Sequence, residues 1–289
     1  MPLLYVFAIV IAITVLSGCS GRNDTGDNVK IIKEEADYSE YFNGAEGTVV
    51  FYSTGEKNYS IYNMELANLP SSPCSSFKIV SCLMGLESGV INPSESTMQW
   101  NGTSYPVAGW NQDIGYKQAF QTSCIWYFRK VIDMMGEDYV QGILNELNYG
   151  NCDVSEWEGS MNNLIFPDFK EAKELNGFWQ ESSLKISPRQ QVDIVKKIFE
   201  DKDIFSAGNL DLMKEVMLID NAGSFITIYG KTGSGIKDDN WADAWFVGMF
   251  EIDGATTYFA ARLNQPDARG AQAEEIVLDI INGEFRIQS

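Results

Sequence analysis

Short runs of β-branched and aromatic residues lie near both ends of the chain, and turn-forming residues bound them. Such runs are typical of β-strands. Five segments show the pattern: 47–52 (GTVVFY), 59–63 (YSIYN), 224–229 (SFITIY), 244–251 (AWFVGMFE) and 257–263 (TYFAARL). Only turn residues separate the first two segments, which predicts a β-hairpin.

The chain between these two groups of strands has a helical pattern. Apolar residues recur at i, i+3 and i+4 over 118–135 and 188–199, and again near the C-terminus over 271–281. The order of strands, helices and strands predicts an α+β fold. We expect one antiparallel sheet of about five strands, built from both chain ends and flanked by helices, with a mostly helical region at about 73–215 inserted between the sheet segments.

The N-terminus has the pattern of an export signal. Residues 2–16 are almost wholly apolar and carry no charge, a run too short for a comfortable membrane span. It ends in Leu16-Ser17-Gly18-Cys19, which resembles the lipobox of bacterial lipoproteins, although no Lys or Arg precedes it. We expect a signal peptide at 1–18, lipidation of Cys19, a polar tether at 19–40 and a folded domain at 41–289; an uncleaved anchor or an ordinary secretion signal stays open.

From these features we expect the protein to lie outside the cytoplasmic membrane, at the cell surface or in the periplasm. Its net charge of −19, from 21 Lys and Arg against 40 Asp and Glu, argues against nucleic acid as a partner. The sequence has no histidine, which excludes Ser-His-Asp triads, Cys-His dyads and H-E-x-x-H zinc sites. No metal site is predicted. Four cysteines remain after Cys19, without a C-x-x-C pair: Cys74, Cys82, Cys124 and Cys152. Buried free thiols are the plainer interpretation, and disulfide pairing stays open.

A serine and a lysine lie one helical turn apart at the start of an apolar helix. Ser75 and Lys78 form an S-x-x-K pair that follows Pro70 and Pro73. Positions i and i+3 share a helix face, so the lysine amine can reach the hydroxyl. Burial in an apolar helix lowers a lysine pKa, and a neutral amine can act as a base or react with carbon dioxide. Taken alone, the pair has a plainer interpretation as an N-capping serine and a snorkelling lysine.

Three further short motifs follow in order: Ser123-Cys124-Ile125, Tyr149-Gly150-Asn151 and Lys231-Thr232-Gly233. Their plainer interpretations are a helix N-cap, a turn and a lysine at a strand edge. Glycines at 230, 233 and 235 surround the lysine and would let a substrate approach the backbone closely.

In this order the motifs resemble those of the serine penicillin-recognising enzymes, and most closely the class D, oxacillinase-type β-lactamases. The similarity extends over about 47–281. It includes 73–87 (PCSSFKIVSCLMGLE), 110–113 (WNQD), 178–179 (FW), 184–187 (LKIS), 190–192 (QQV) and 245–248 (WFVG).

The resemblance implies a β-lactamase/DD-peptidase-like fold and a role for each matching residue. Ser75 matches the acylated nucleophile, and Lys78 matches a lysine that carbon dioxide converts to N6-carboxylysine, the general base. Trp179 matches a tryptophan that donates its indole N–H to this carbamate. Ser123 matches a proton shuttle near the leaving nitrogen, with Lys231 beside it.

Substrate-binding residues are implied in the same way. The backbone N–H groups of Ser75 and Ser234 would form the oxyanion hole. The substrate carboxylate would meet Lys231, Thr232 and Arg269 beside Gly233, and a surface salt bridge is the other interpretation of Arg269. Trp110 and Ile125 would wall the pocket.

Two positions and one interval depart from the family pattern. Ile125 replaces the usual valine, and Gln180 follows Trp179 where leucine is common. The interval from 151 to 178 is longer than in typical members and holds an acidic insert at 167–175. These departures leave the loop over the site, and therefore the substrate range, open.

The leading hypothesis is a β-lactam hydrolase that confers antibiotic resistance. It needs no cofactor beyond carbon dioxide or bicarbonate, and its partners would be β-lactams and, through Cys19, a membrane. Other hypotheses are a penicillin sensor that is acylated but releases product slowly, a peptidoglycan transpeptidase or carboxypeptidase, and a non-catalytic solute-binding lipoprotein. Such sensors also carry several membrane spans and an H-E-x-x-H segment, which this sequence lacks.

Overall fold

The computed structural model describes residues 33–160, 172–201, 203–219, 225–237 and 240–285, and the chain from Ile31 onward forms one compact unit. The expected signal peptide, Cys19 and most of the tether lie outside the described residues. So do residues 161–171, which include part of the acidic insert.

The described residues form one sheet of seven strands, in the spatial order β1-β3-β2-β7-β6-β5-β4. The strands are β1 (Lys33–Glu35), β2 (Gly47–Ser53), β3 (Asn58–Tyr62), β4 (Leu218–Ile219), β5 (Thr227–Lys237), β6 (Asn240–Ile252) and β7 (Ala255–Asn264). The five long strands confirm the expected sheet from both chain ends, and the two short ones lie at its edges. All neighbours pair antiparallel except β1 and β3, which are parallel.

Nine α-helices accompany this sheet in the part of the chain that is described. They are α1 (Ser39–Phe42), α2 (Met64–Ala67), α3 (Lys78–Glu87), α4 (Tyr116–Gln121), α5 (Ile125–Met135), α6 (Glu137–Leu147), α7 (Pro188–Glu200), α8 (Ala207–Met217) and α9 (Gly270–Glu284). None of them is long and apolar enough to cross a membrane.

The inserted region is less helical than its apolar pattern predicts. The stretch 118–135 is two helices, because the chain turns at Ser123, whose φ is 57°. Residues 88–115 and 148–187 contain only short 3₁₀ turns and irregular backbone where they are described. Turn-forming Gly, Ser, Asn and Pro residues interrupt the helical periodicity there.

The folded domain begins earlier than the boundary predicted at residue 41. Strand β1 pairs with β3, and helix α1 buries Phe42, while Tyr38 is buried beside it. Polar residues surround Tyr38 and Phe42 in the sequence, so no apolar pattern indicates that these two aromatic side chains are buried.

The sheet separates two apolar layers. On one face, Phe246, Phe250 and Phe259 pack with the C-terminal helix α9. On the other face, Trp245, Val247 and the rest of that layer pack against the helical region. Alternate residues of β6 therefore face opposite layers, as a strand buried on both faces requires.

A buried ion pair joins β6 and β7 on the face of the sheet that packs against the helical region. Arg262 of β7 donates from Nε to Asp243 of β6 at 2.8 Å and from Nη2 to the same oxygen at 2.6 Å. Ser71 donates to the other oxygen of Asp243. Asp243 and Arg262 are 2% and 4% exposed.

We expect Arg262→Leu to lower the free energy of unfolding by roughly 3–5 kcal/mol, because it leaves the Asp243 carboxylate buried without its cation. The control, Lys117→Ala, breaks the exposed ion pair with Glu215 (side chains 53% and 57% exposed) and should cost less than about 1 kcal/mol. Urea denaturation measures both; equal losses would contradict this account of the buried pair.

Candidate active site

Ser75 lies on a tight turn at the entrance to α3. Residues Cys74–Phe77 form a 3₁₀ turn, and α3 begins directly after it at Lys78. The Lys78 Nζ donates to the Ser75 Oγ at 2.9 Å. Ser75 is partly exposed, whereas Lys78 is buried. The i, i+3 pairing expected from the sequence is therefore present, and it joins a partly exposed serine to a buried lysine.

The surroundings of Lys78 disfavour a charged ammonium. The side chain is 1% exposed, and its Nζ lies 5.8 Å from the centre of the Phe128 ring. Burial, and secondarily the positive charge of Lys231, lower the pKa of Lys78 to about 7. A substantial fraction of this amine is therefore neutral at neutral pH, as the sequence predicted.

The segment 179–181 holds the turn in place. Cys74 has a left-handed φ of 49°, and its N–H donates to the Trp179 carbonyl at 3.0 Å. The Ser72 hydroxyl donates to the same carbonyl at 2.9 Å and accepts from the Glu181 N–H at 2.9 Å. The Trp179 ring stacks on Phe77 at 6.0 Å. Trp179 thus contacts the residues that precede both Ser75 and Lys78.

Strand β5 passes directly against this turn. The strand was predicted to end at 229, but it continues through Lys231-Thr232-Gly233 to Lys237, because β6 pairs with it over that whole length. A Cβ added at Gly233 would lie 3.1 Å from the Ser76 amide nitrogen. Only a residue without a side chain fits such an approach easily, and Ser234 follows it.

Lys231 contributes a second buried amine. It is 6% exposed, its Nζ donates to the Thr232 carbonyl at 2.9 Å, and it lies 5.7 Å from the Phe120 ring centre. Burial lowers the pKa of Lys231 to about 8, and the Glu274 carboxylate opposes this shift.

The Ser123 hydroxyl is buried without a hydrogen-bond partner among the described residues. It lies in the left-handed turn between α4 and α5, and Cys124, not Ser123, caps α5. Cys124 is close enough to Lys78 to perturb the lysine pKa. A buried hydroxyl without a partner is uncommon in folded proteins and is often found at functional positions.

Trp110 and Ile125 are both buried on this side of the site. The Trp110 indole N–H donates to the Thr122 carbonyl at 2.9 Å, and the Trp126 indole donates to the Trp110 carbonyl at 3.1 Å. These bonds fix Trp110 against the turn that carries Ser123.

Arg269 lies at the N-terminal end of α9, exposed and next to β5. The following Gly270 donates its N–H to the Ser234 hydroxyl at 2.9 Å. A Cβ added at Gly270 would lie 2.8 Å from the Gly233 carbonyl oxygen. The backbone beside Arg269 therefore contacts the Lys231–Ser234 segment, as the spacing suggested.

The Tyr149-Gly150-Asn151 motif makes structural contacts with Lys185 and Phe77. Asn151 donates its N–H to the Lys185 carbonyl at 3.0 Å and accepts from the Lys185 N–H at 2.9 Å. Tyr149 packs edge-on against Phe77. This motif fastens a loop behind the site.

Sequence patterns do not indicate two groups that lie beside the site, Glu181 and Arg129. The Glu181 carboxylate accepts from the Cys74 thiol at 3.2 Å, and burial raises the pKa of Glu181 to about 7. Arg129 of α5 is buried with its guanidinium over the Trp179 ring. No group of three or more Cys, Asp or Glu residues suited to a metal ion occurs in the described chain.

A family model for the penicillin-binding protein transpeptidase domain matches residues 25–282. The chain belongs to this family. It is thus a member of the penicillin-recognising serine enzymes, whose S-x-x-K serine and lysine are matched by the hydrogen-bonded Ser75 and Lys78.

The relatives of this chain include both sensors and enzymes. It is 32% identical to the regulatory protein BlaR1 of Bacillus licheniformis over 252 residues, which cover 86% of this chain and 39% of BlaR1. The crystal structure of the C-terminal domain of that penicillin receptor matches with a TM-score of 0.76 and 32% identity, over 88% of this chain and 96% of the domain. The class D β-lactamase BAT-2 matches with a TM-score of 0.75 and 27% identity, over 88% of this chain and 98% of the BAT-2 chain. The fold is the one that these sensors and class D enzymes share.

We expect Gly270→Ala to slow the covalent labelling of this penicillin-recognising protein by a fluorescent penicillin at least about tenfold, because the new methyl group displaces α9 from β5. The control, Gly142→Ala, adds a methyl group to α6 where nothing lies within 4 Å. It should leave the labelling rate unchanged; equal rates in both variants would contradict the packing argument.

Proposed function

We propose that this protein is a β-lactam hydrolase that acts through an acyl-enzyme on Ser75. The observation that carries the proposal is the 2.9 Å hydrogen bond from the buried Lys78 amine to the partly exposed Ser75 hydroxyl. Because the chain lacks histidine, the proposal assigns the base for this nucleophile to Lys78.

Acylation follows from this pair. In this proposal the carbamate of N-carboxylated Lys78 accepts the Ser75 proton as Oγ bonds to the carbonyl carbon of the β-lactam, and the ring C–N bond then breaks. The same proton passes through Ser123 to the leaving nitrogen, with Lys231 beside it. The N–H groups of Ser75 and Ser234 stabilise the oxyanion, and each such donor is typically worth ~10²–10³ in rate.

Deacylation needs a base that can activate water. N-carboxylation of Lys78 would supply a carbamate for that purpose, as in the class D family that the sequence resembles. The residues fit this modification, since carbon dioxide reacts with a neutral amine and the pKa of Lys78 is lowered to about 7. In this proposal Trp179, which stacks on the neighbouring Phe77, donates its indole N–H to the carbamate.

Substrate recognition would use the β5 edge. Thr232, Lys231 and Arg269 would bind the β-lactam carboxylate, and a guanidinium fork suits such a group. We also propose that the protein is exported and lipid-anchored through Cys19, which would place this site where β-lactams first arrive.

The second candidate is a penicillin sensor that is acylated but releases product slowly. The similarity to BlaR1 and to the solved receptor domain favours it. Both candidates share the acylation chemistry, so the rate of deacylation separates them.

We predict that the purified protein opens a chromogenic cephalosporin over many turnovers, measured as product formed per mole of protein. A burst of one equivalent without further turnover would instead assign the sensor function.

Ser75→Ala should abolish covalent labelling by a penicillin, since it removes the attacking oxygen. The matched control, Ser76→Ala, changes the neighbouring serine and should keep the label on Ser75, as peptide mass spectrometry can show. A label retained in Ser75→Ala would reject this nucleophile.

Turnover should also depend on bicarbonate. As the pH falls below the lowered Lys78 pKa of about 7, the amine is protonated and its carbamate is lost. Activity in bicarbonate-free buffer should therefore fall on the acidic side of neutrality and return when bicarbonate is added. Lys78→Ala lacks the base for both steps, so it should be acylated more slowly than the wild type, and the acyl-enzyme that does form should persist with and without bicarbonate. Indifference of the wild-type rate to bicarbonate would exclude the carbamate.

A further inference from the structure

Arg129 is a buried cation between two tryptophans behind the site. It belongs to α5 and is 5% exposed. Its guanidinium carbon lies 5.3 Å from the centre of the Trp157 ring and 5.8 Å from that of Trp179. Cation–π contacts of this kind are strengthened when both partners are desolvated.

The guanidinium is held by hydrogen bonds at each of its three nitrogens. Its Nε donates to Asp133 at 3.0 Å, Nη2 donates to the other oxygen of the same carboxylate, and Nη1 donates to the Trp157 carbonyl. A planar fork bonded at all three nitrogens is held in one orientation. Arg129 therefore presents a fixed charge to the face of the Trp179 ring.

Trp179 connects Arg129 to the segment that carries Ser75 and Lys78. Its carbonyl accepts from the Cys74 N–H, directly before Ser75, at 3.0 Å. Its ring stacks on Phe77, directly before Lys78. A shift of Trp179 would consequently move the nucleophile turn and the start of α3 together.

We infer that Arg129 is a positioning residue for the acylation and carboxylation chemistry, acting through Trp179. The inference about carboxylation rests on the proposed function, whereas the inference about the turn rests on the contacts alone. A cation over the indole face also strengthens the positive edge of the ring, and therefore its N–H as a donor to a carbamate.

The chain contains a matched control for this arrangement. Arg189 of α7 also pairs with an aspartate four residues later, Asp193, at 3.6 Å, and its guanidinium lies 3.8 Å from the centre of the Tyr59 ring. Arg189 thus shares the aspartate partner and the aromatic contact of Arg129, although its Nε has no hydrogen-bond partner among the described residues. Its aromatic partner is a strand residue that makes no described contact with Ser75 or Lys78.

The test compares Arg129→Gln, Arg129→Lys and Arg189→Gln with the wild type. For each we would measure urea stability, the rate of acylation by a fluorescent penicillin, and the bicarbonate concentration that gives half-maximal turnover. Arg129→Gln should acylate at least about fivefold more slowly and need at least about fivefold more bicarbonate. Arg129→Lys keeps the charge but loses the planar fork, and should give an intermediate result. Arg189→Gln should lose stability only.

The outcomes separate this inference from the proposed function. If the wild type is acylated but does not turn over, the hydrolase proposal fails and the acylation rates still test Arg129. If the wild type turns over and Arg129→Gln matches Arg189→Gln in acylation rate and bicarbonate requirement, the positioning role is rejected. Should Arg129→Gln fail to fold, Arg129→Lys and Asp133→Asn, which frees the guanidinium from its carboxylate, provide the same comparison.

Discussion

The Lys78 amine is buried where an ammonium is poorly solvated, and its Nζ lies 2.9 Å from the Ser75 Oγ. The side chain is 1% exposed, and its pKa is lowered to about 7, chiefly by this burial. In the proposed function, the desolvated lysine of this histidine-free chain provides the base that an imidazole would otherwise supply near neutral pH. The apolar helix that follows Ser75 would then have a chemical role besides its contribution to packing.

The rest of the site keeps this pair in position. Backbone contacts position the turn that carries Ser75. The Trp179 carbonyl accepts a hydrogen bond from the left-handed Cys74, and Gly233 lets β5 approach the same turn. Gly270 then brings α9 against β5. Each of these contacts tolerates little displacement, because the atoms involved belong to the backbone and cannot move away as a flexible side chain would.

The five long strands and the pairing of Ser75 with Lys78 could be predicted from local patterns, since strand runs and helical spacing are encoded by neighbouring residues. The break at Ser123 could not, because its left-handed φ depends on how α4 and α5 pack. The extension of β5 through Lys231 was also missed. Glycines weaken a strand pattern in sequence, and here pairing with β6 outweighs them. Arg129 reads as an ordinary surface cation, and only the tertiary structure places it over Trp179.

The most direct test of the account is the titration of Lys78 itself, in buffer freed of carbon dioxide. The ¹⁵Nζ signal that is absent from Lys78→Ala would be followed by NMR against pH. The account predicts a midpoint near 7, as the burial of the amine requires. An amine that stays protonated up to the ordinary lysine value of 10.5 would contradict it, since such a group could neither take the Ser75 proton nor capture carbon dioxide near neutral pH.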